Sequence, residues 1–163
     1  VLRRAGVEVV AAGLKPGPVK ASRGVVVVPD ALLDDVNEQG FDKIVLPGGM
    51  PGAKTLGTDE RIRKLLDLSR ERGRWVAAIC AAPAMVLEPA GFLKGIPATG
   101  HPSLADKVPT YNGQRVVTHG RLVTSQGPGT SMEFALELVR QLCGEPKARE
   151  VAAPMLAHWD SGA

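Results

Sequence analysis

Short apolar runs alternate along the chain with stretches in which apolar residues recur every three or four positions. The runs have the length of β-strands, and the stretches have the periodicity of helices that bury one face. The clearest helical pattern covers 59–72, where Ile62, Leu65, Leu66 and Leu68 fall on one side. Strands are predicted at 7–12, 25–28, 43–46 and 75–79, a hairpin at 115–118 and 122–124, and helices at 31–37, 59–72, 81–87, 132–142 and 148–156.

The connections between these elements are short and rich in glycine and proline. Strands and helices that alternate in this way are typical of a parallel sheet covered by helices on both faces. A chain of 163 residues has the size of one domain, so we expect a single α/β domain over 1–163. The first residues have the pattern of the end of a helix that stops at Gly6, and we expect that the strand before this helix is absent from the sequence.

Composition and charge narrow the classes of function. The 20 basic and 17 acidic residues leave a net charge of only +3, and no nucleic-acid-binding motif accompanies them. No apolar run approaches the length of a membrane span, and no signal-peptide pattern is present. The two cysteines are far apart in the sequence, which favours a reducing compartment such as the cytoplasm. Neither the cysteines nor the three histidines have the spacing of metal ligands, so we expect no metal site.

One cysteine occupies a position where open α/β sheets form their sites. Cys80 directly follows the predicted strand 75–79 and directly precedes a predicted helix. A residue at such a junction lies on a tight turn, as the nucleophile of many hydrolases does, and small neighbours such as Ala81 and Ala82 suit that turn. The N-terminus of a helix also stabilises a thiolate, the nucleophilic form of cysteine. The alternative is a buried cysteine that acts as a small hydrophobic residue, which is our expectation for Cys143.

Two further segments supply candidate partners for Cys80. Gly48 and Gly49 follow a predicted strand, and glycines there allow backbone N–H groups to face a ligand. Together with the Ala81 N–H they would form an oxyanion hole. The alternative is an ordinary turn at the end of a strand. His101 follows a short predicted strand and is a candidate general acid or base.

The order of these motifs resembles that of the DJ-1/ThiJ/PfpI superfamily, and within it the deglycase and YajL-like branch. Each motif alone is common, whereas their combination in this order is specific and spans nearly the whole chain. The stretches that carry the resemblance are 3–6, 21–24, 45–49, 77–83, 124–131, 133–135 and 151–154.

The resemblance implies a fold, an assembly and a set of site residues. The fold is a flavodoxin-like three-layer sandwich with a mostly parallel sheet, and the assembly is a homodimer. Ser22 and Arg23 match a segment that lies at the dimer interface near the partner's site. The implied site residues are the catalytic Cys80 and His101 and the backbone donors Gly48, Gly49 and Ala81.

Activities in the resembled family need no cofactor. They include the conversion of methylglyoxal to lactate and a deglycase activity on early glycation adducts, so the implied substrate is a small reactive carbonyl or a glycated group. The alternative is a redox-sensing holdase chaperone, because some members of the family act in this way. A peptidase or amidotransferase is disfavoured because Ala81, and not a histidine, follows Cys80. A purely structural domain is disfavoured because three glycine-rich strand ends are expected to converge on one cysteine.

Two departures from the resembled family matter. The family's catalytic glutamate would lie upstream of Val1 and its first core strand further upstream, so no residue here takes the role of that glutamate. Glu8 lies in a different predicted strand. If Val1 were the first residue of the molecule, the sheet would lose a central strand and leave a strand edge unpaired, so we expect that strand to lie upstream of Val1. In addition, Ala21 replaces a cysteine near the interface, so disulfide sensing through that position is not expected.

Overall fold

Eight strands and four α-helices form the part of the chain that a computed structural model describes, residues 1–159. The strands are β1 (Ala12–Gly13), β2 (Val19–Lys20), β3 (Val26–Val27), β4 (Ala31–Leu32), β5 (Lys43–Leu46), β6 (Trp75–Ile79), β7 (Val116–His119) and β8 (Leu122–Ser125). The α-helices are α1 (Gly52–Thr58), α2 (Glu60–Glu71), α3 (Ser131–Cys143) and α4 (Glu145–Ala152).

The main sheet has the strand order β5–β6–β8–β7. The strands β5, β6 and β8 run parallel, and β7 pairs with β8 as an antiparallel edge strand. The predicted strands 43–46 and 75–79 and the predicted hairpin are therefore confirmed. Because the three parallel strands end at the same edge of the sheet, the turns that follow them lie close together.

Helices cover both faces of this sheet, as the alternation of side chains along β6 shows. Val76 and Ala78 pack in one cluster with Leu66 of α2. Ala77, on the opposite face, packs with Phe134 of α3. Successive residues of a strand point to opposite faces, so the wholly apolar sequence of β6 reflects burial on both sides. The predicted three-layer α/β architecture is confirmed.

The helix predicted at 59–72 is present as α2. Asp59 caps its first turn by accepting the Arg61 N–H at 2.9 Å, a usual role for aspartate at this position. Ile62 and Leu66 are buried and Leu65 is half-buried, in agreement with the predicted apolar face.

The structure corrects several predicted boundaries in the first third of the chain. The predicted strand 7–12 is extended, but only Ala12 and Gly13 pair with another strand. The backbone of Ala11 instead exchanges hydrogen bonds with Asp30, whose carboxylate accepts the Ala11 N–H at 2.7 Å. The predicted helix 31–37 is wrong: β4 is followed by a single 3-10 turn at Leu33–Asp35, because Ala31 and Leu32 find a partner strand in β1.

Two helices differ from their predicted form. The predicted helix 81–87 is a π-helical turn at Pro83–Leu87, and Pro83 takes its first position, where a helix needs no N–H donor. α1 was not predicted, because its seven residues contain two glycines and two threonines, which have low helix propensity.

The strands do not form one continuous sheet. β1 and β4 form a parallel pair, β2 and β3 form an antiparallel ribbon, and neither pair is joined to the main sheet. A cavity of about 660 Å³ separates β1 from β5.

Candidate active site

Cys80 lies on a strained turn at the end of β6. Its φ angle is 64°, in the left-handed region that non-glycine residues rarely adopt. Two backbone hydrogen bonds fix this conformation: the Cys80 N–H donates to the Ser125 carbonyl at 2.9 Å, and the Cys80 carbonyl accepts the His101 N–H at 2.8 Å. The end of β8 and the segment that carries His101 therefore hold the cysteine from two sides. Strain of this kind is found at functional sites, where the surrounding structure maintains it.

The turn after β5 packs directly against Cys80. A Cβ atom on Gly48 would lie 2.7 Å from the Ile79 carbonyl oxygen and 3.0 Å from the Ala81 nitrogen, and closer still to the Cys80 Cβ. Only glycine fits at this position without a shift of the backbone. Gly49, with φ of 84°, turns the chain away from the sheet.

Three backbone N–H groups around Cys80 are free. Within residues 1–159, the N–H groups of Gly48, Gly49 and Ala81 donate to no acceptor. Free N–H groups beside a nucleophile are suited to stabilise negative charge that develops on a reacting oxygen. The three donors named from the sequence are therefore close to one another and available.

The ring of His101 is oriented by Ser103. The Ser103 N–H lies 3.3 Å from His101 Nδ1, and the Ser103 hydroxyl lies 2.8 Å from the same atom. A backbone N–H can only donate, so Nδ1 acts as the acceptor and the neutral ring carries its proton on Nε2. His101 in its neutral form therefore offers an N–H donor at the far side of the ring.

The loop after β8 completes the surroundings of His101. The Ser125 and Thr130 hydroxyls are 2.6 Å apart, and the Thr130 hydroxyl accepts the Gly127 N–H at 3.0 Å. A Cβ on Gly127 would lie 3.7 Å from His101 Cδ2, so the loop backbone is next to the imidazole. All three strand ends named from the sequence thus meet at Cys80 and His101.

An ion pair supports this loop from outside. Arg115 binds Glu133 at 2.8 Å and donates to the Gly129 carbonyl at 2.7 Å. The hydrogen bond that Arg115 donates to the Glu133 carboxylate raises the pKa of the guanidinium above its ordinary value. Arg115 therefore stays charged at every relevant pH.

Sequence reasoning missed two residues that position the site. Ser103 orients the imidazole, and the carbonyl of Ser125 holds the Cys80 turn. Pro102 could have indicated the role of Ser103, because proline is common at the first residue of a helical turn. His101 is then the N-cap of that turn, and its side chain accepts the Ser103 N–H. The role of the Ser125 carbonyl has no sequence signal, because any residue could supply it.

The remaining candidate residues lie at the edge of the site or away from it. The Ser22 hydroxyl is 3.5 Å from the position of a Cβ on Gly49 of the same chain, and Arg23 is exposed next to it. Cys143 is exposed at the end of α3, so the expectation that it is a buried small hydrophobic residue is wrong.

Two classes of feature are missing from residues 1–159. No helix there combines the length and the apolar character needed to cross a bilayer. No group of three or more histidine, cysteine, aspartate or glutamate side chains is arranged there to hold a metal ion.

A comparison with models of protein families identifies the family of this chain. The sequence profile of the DJ-1/PfpI family matches residues 1–141. The chain belongs to the DJ-1/PfpI family. The resemblance inferred from the motif order is confirmed.

Several relatives of this DJ-1/PfpI chain are about 40% identical to it. Drosophila melanogaster protein dj-1beta is 41% identical over 98% of the chain and 88% of the relative. The glutathione-independent glyoxalase DJR-1.2 of Caenorhabditis elegans is 38% identical over 95% of the chain and 84% of the relative. Protein DJ-1 homolog A of Arabidopsis thaliana is 41% identical over 99% of the chain, and the chain spans only 43% of that relative.

Solved structures confirm the fold. Oxidized Toxoplasma gondii DJ-1 superposes with a TM-score of 0.91 at 39% identity, over 96% of this chain and 86% of that chain. Drosophila melanogaster DJ-1beta superposes with a TM-score of 0.88 at 39% identity.

Proposed function

We propose that this DJ-1/PfpI chain is a cysteine-dependent enzyme that needs no cofactor and acts on methylglyoxal or on early glycation adducts. The observation that carries the proposal is the Cys80 turn, which is held in a left-handed conformation beside three free backbone N–H groups. The glyoxalase from Caenorhabditis elegans among the relatives supports the class of substrate. The free thiols fit a reducing compartment such as the cytoplasm.

The first step is an addition to the aldehyde group. The Cys80 thiolate gives an electron pair to the aldehyde carbon, a C–S bond forms, and the C=O π pair moves to the oxygen. The N–H groups of Gly48, Gly49 and Ala81 stabilise that oxyanion because they are oriented before the reaction begins. The Nε2–H of His101 donates a hydrogen bond to this oxygen, and the oxygen takes up from solvent the proton that the Cys80 thiol had lost, which gives a hemithioacetal.

The second step is an internal redox reaction that needs no external oxidant. A proton leaves the former aldehyde carbon and another reaches the neighbouring ketone carbon, while the hydroxyl proton passes from the first oxygen to the second, so the first carbon is oxidised and the second is reduced. The product is a lactoyl thioester on Cys80, and water cleaves the C–S bond to give lactate and the free thiol. The resemblance assigns the base for this step to a glutamate upstream of Val1.

The test follows both steps in the same protein. Carbon-13 NMR with labelled methylglyoxal should show a hemithioacetal in Cys143→Ser and none in the double variant Cys80→Ser/Cys143→Ser, a pair that leaves out the exposed Cys143 thiol. Lactate release should follow the same order. Equal lactate release by the wild type and Cys80→Ser, or a hemithioacetal that persists in the double variant, would refute the proposal.

A redox-sensing holdase is the second candidate, favoured by the oxidized state of the Toxoplasma gondii relative. Cys80 would then stop at the sulfinic acid, whose oxygens accept hydrogen bonds from the same N–H groups. Peptide mass spectrometry after mild peroxide treatment tests this role. Addition of oxygen to Cys143 but not to Cys80 would exclude it.

Homodimer formation is supported by the β2–β3 ribbon. An isolated two-stranded ribbon is marginal in water, and exposed apolar patches mark interaction surfaces. The ribbon exposes five apolar side chains next to Ser22 and Arg23, namely Val19, Val25, Val26, Val27 and Val28. A second copy that covers this ribbon would also lie close to Gly49. Light scattering should find a dimer for the wild type and a monomer for Val26→Lys, and a wild-type monomer at high concentration would exclude the dimer.

A further inference from the structure

Two short helical segments are attached to the two sides of the candidate site. α1 follows the turn after β5, and the Ala53 N–H of α1 donates to the Gly49 carbonyl at 2.8 Å. The π-helical turn follows Cys80, and its Met85 N–H donates to the Ala81 carbonyl at 2.9 Å. A displacement of either helical segment therefore moves the backbone donors that are attached to it.

These two segments meet in a backbone contact at Gly57 of α1. A Cβ on Gly57 would overlap the Met85 carbonyl oxygen, and it would lie 3.1 Å from the Met85 carbonyl carbon and 3.7 Å from the Val86 Cα. Backbone atoms cannot give way as the end of a flexible side chain does, so a Cβ would push α1 and the π-helical turn apart. Only glycine at this position allows the two segments to lie so close together.

Pro89 explains why the Met85 carbonyl is directed towards α1. In a helix this carbonyl would accept the N–H of residue 89, but proline has no N–H, and its ring clashes with the carbonyl four residues before it. The next N–H along the chain, that of Ala90, donates to the Val86 carbonyl at 3.2 Å. The Met85 carbonyl is therefore displaced outward, and the missing side chain of Gly57 leaves room for it.

We propose that Gly57 is a positioning residue for the candidate site. Through its contact with the Met85 carbonyl, it sets the distance between the donor turn of Gly48 and Gly49 and the segment that carries Cys80. Gly57 acts through the backbone of α1 and touches neither the substrate nor the reacting atoms. The expected effect on turnover rests on the proposed function, whereas the expected effect on the geometry of the donors does not.

The test compares Gly57→Ala with Gly52→Ala, the same substitution in the same helix at a position where a Cβ meets nothing within 4 Å. In Gly57→Ala, kcat for lactate release should fall by about tenfold or more. KM should change by less than about twofold, because the donors act on the oxyanion of the transition state and not on free methylglyoxal. In Gly52→Ala, both constants should stay within about twofold of the wild type.

Amide NMR spectra supply a readout that a merely stabilising residue would not move. A loss of stability leaves the signals of the folded molecules in place. A displaced α1, in contrast, should shift the amide signals of Gly48 and Ala81, which lie on the two sides of the site in Gly57→Ala. Gly52→Ala should leave the Ala81 signal unchanged.

Pro89→Ala acts on the same contact from the other side. It removes the ring that displaces the Met85 carbonyl and supplies an N–H that this carbonyl can accept. Pro89 is exposed, so little packing is lost. In the double variant Gly57→Ala/Pro89→Ala, the carbonyl can turn back into its own segment, and kcat should return to within about threefold of the wild type. If Gly57→Ala alone does not fold, the double variant should fold and carry the test.

Four results would overturn the proposal. They are an unchanged kcat in Gly57→Ala, a lower kcat with unshifted Gly48 and Ala81 signals, a double variant as impaired as Gly57→Ala, and a double variant that does not fold. A wild type that releases no lactate, together with shifted amide signals in Gly57→Ala, would refute the proposed function and support the positioning role.

Discussion

Replacement of Gly48 by alanine tests how the Cys80 turn is held. The added Cβ would lie 2.7 Å from the Ile79 carbonyl oxygen, whereas ordinary contacts begin at 3.4 Å. The turn after β5 must therefore retreat by more than 0.7 Å, because the Cys80 Cβ lies closer still, and overpacking of this kind costs about 2 kcal/mol. For a domain of this size we expect the melting temperature to fall by about 4–8 °C.

The same shift moves the backbone donors away from Cys80. A misplacement approaching 1 Å lowers rates strongly, so we expect the rate of lactate release to fall at least tenfold in Gly48→Ala. Calorimetry and the lactate assay measure the two effects separately. The matched control is Gly129→Ala, since a Cβ there meets nothing within 4 Å. Gly48→Ala with wild-type melting temperature and wild-type turnover would refute this account of the site.

Three further predictions concern side chains around and behind the site. Ser103→Ala removes one hydrogen bond to His101, so lactate release should fall about three- to tenfold, while the melting temperature changes little. Burial alone would raise the pKa of Glu137, but hydrogen bonds from Arg140, Thr118 and Gln141 outweigh burial and hold this pKa below its ordinary value. Glu137→Gln should therefore destabilise the protein at pH 7. The denaturation curves of Glu137→Gln and the wild type should converge as the pH falls below about 4. Burial lowers the pKa of Lys43 from 10.5 to about 8, so below pH 8 the charged amine destabilises the folded protein. Lys43→Met should stabilise the protein most at pH 7. The difference in stability from the wild type should shrink as the pH rises from 8 to 10.5.

The sequence predicts well those elements in which apolar residues follow one clear pattern along the chain. The wholly apolar strand 75–79 and the one-sided helix 59–72 were placed within a residue of β6 and α2. β6 is buried on both faces and α2 on one face, and each kind of burial leaves a clear pattern of apolar residues in the sequence. The predicted helix 31–37 failed although alanine and leucine favour helices, because Ala31 and Leu32 pair with the neighbouring strand β1.

The sequence predicted which residues lie in the candidate site but not how they are arranged. Cys80, Gly48 and Gly49 stand at the ends of apolar strands, so their proximity follows from the topology. The left-handed turn at Cys80 and the 2.8 Å hydrogen bond from the His101 N–H depend on long-range packing that leaves no local trace. The gap beside β5 likewise depends on which strand edges meet in space.

The reactivity of the two thiols within one molecule tests the central claim most directly. Cys143 is exposed and Cys80 is only partly so; if exposure alone set the rate, Cys143 would react faster with iodoacetamide. The account predicts the reverse, because three free backbone N–H groups lie beside the Cys80 turn and are suited to stabilise negative charge during the reaction. Peptide mass spectrometry over a time course should show Cys80 alkylated first. Faster alkylation of Cys143 in the folded protein would contradict the account.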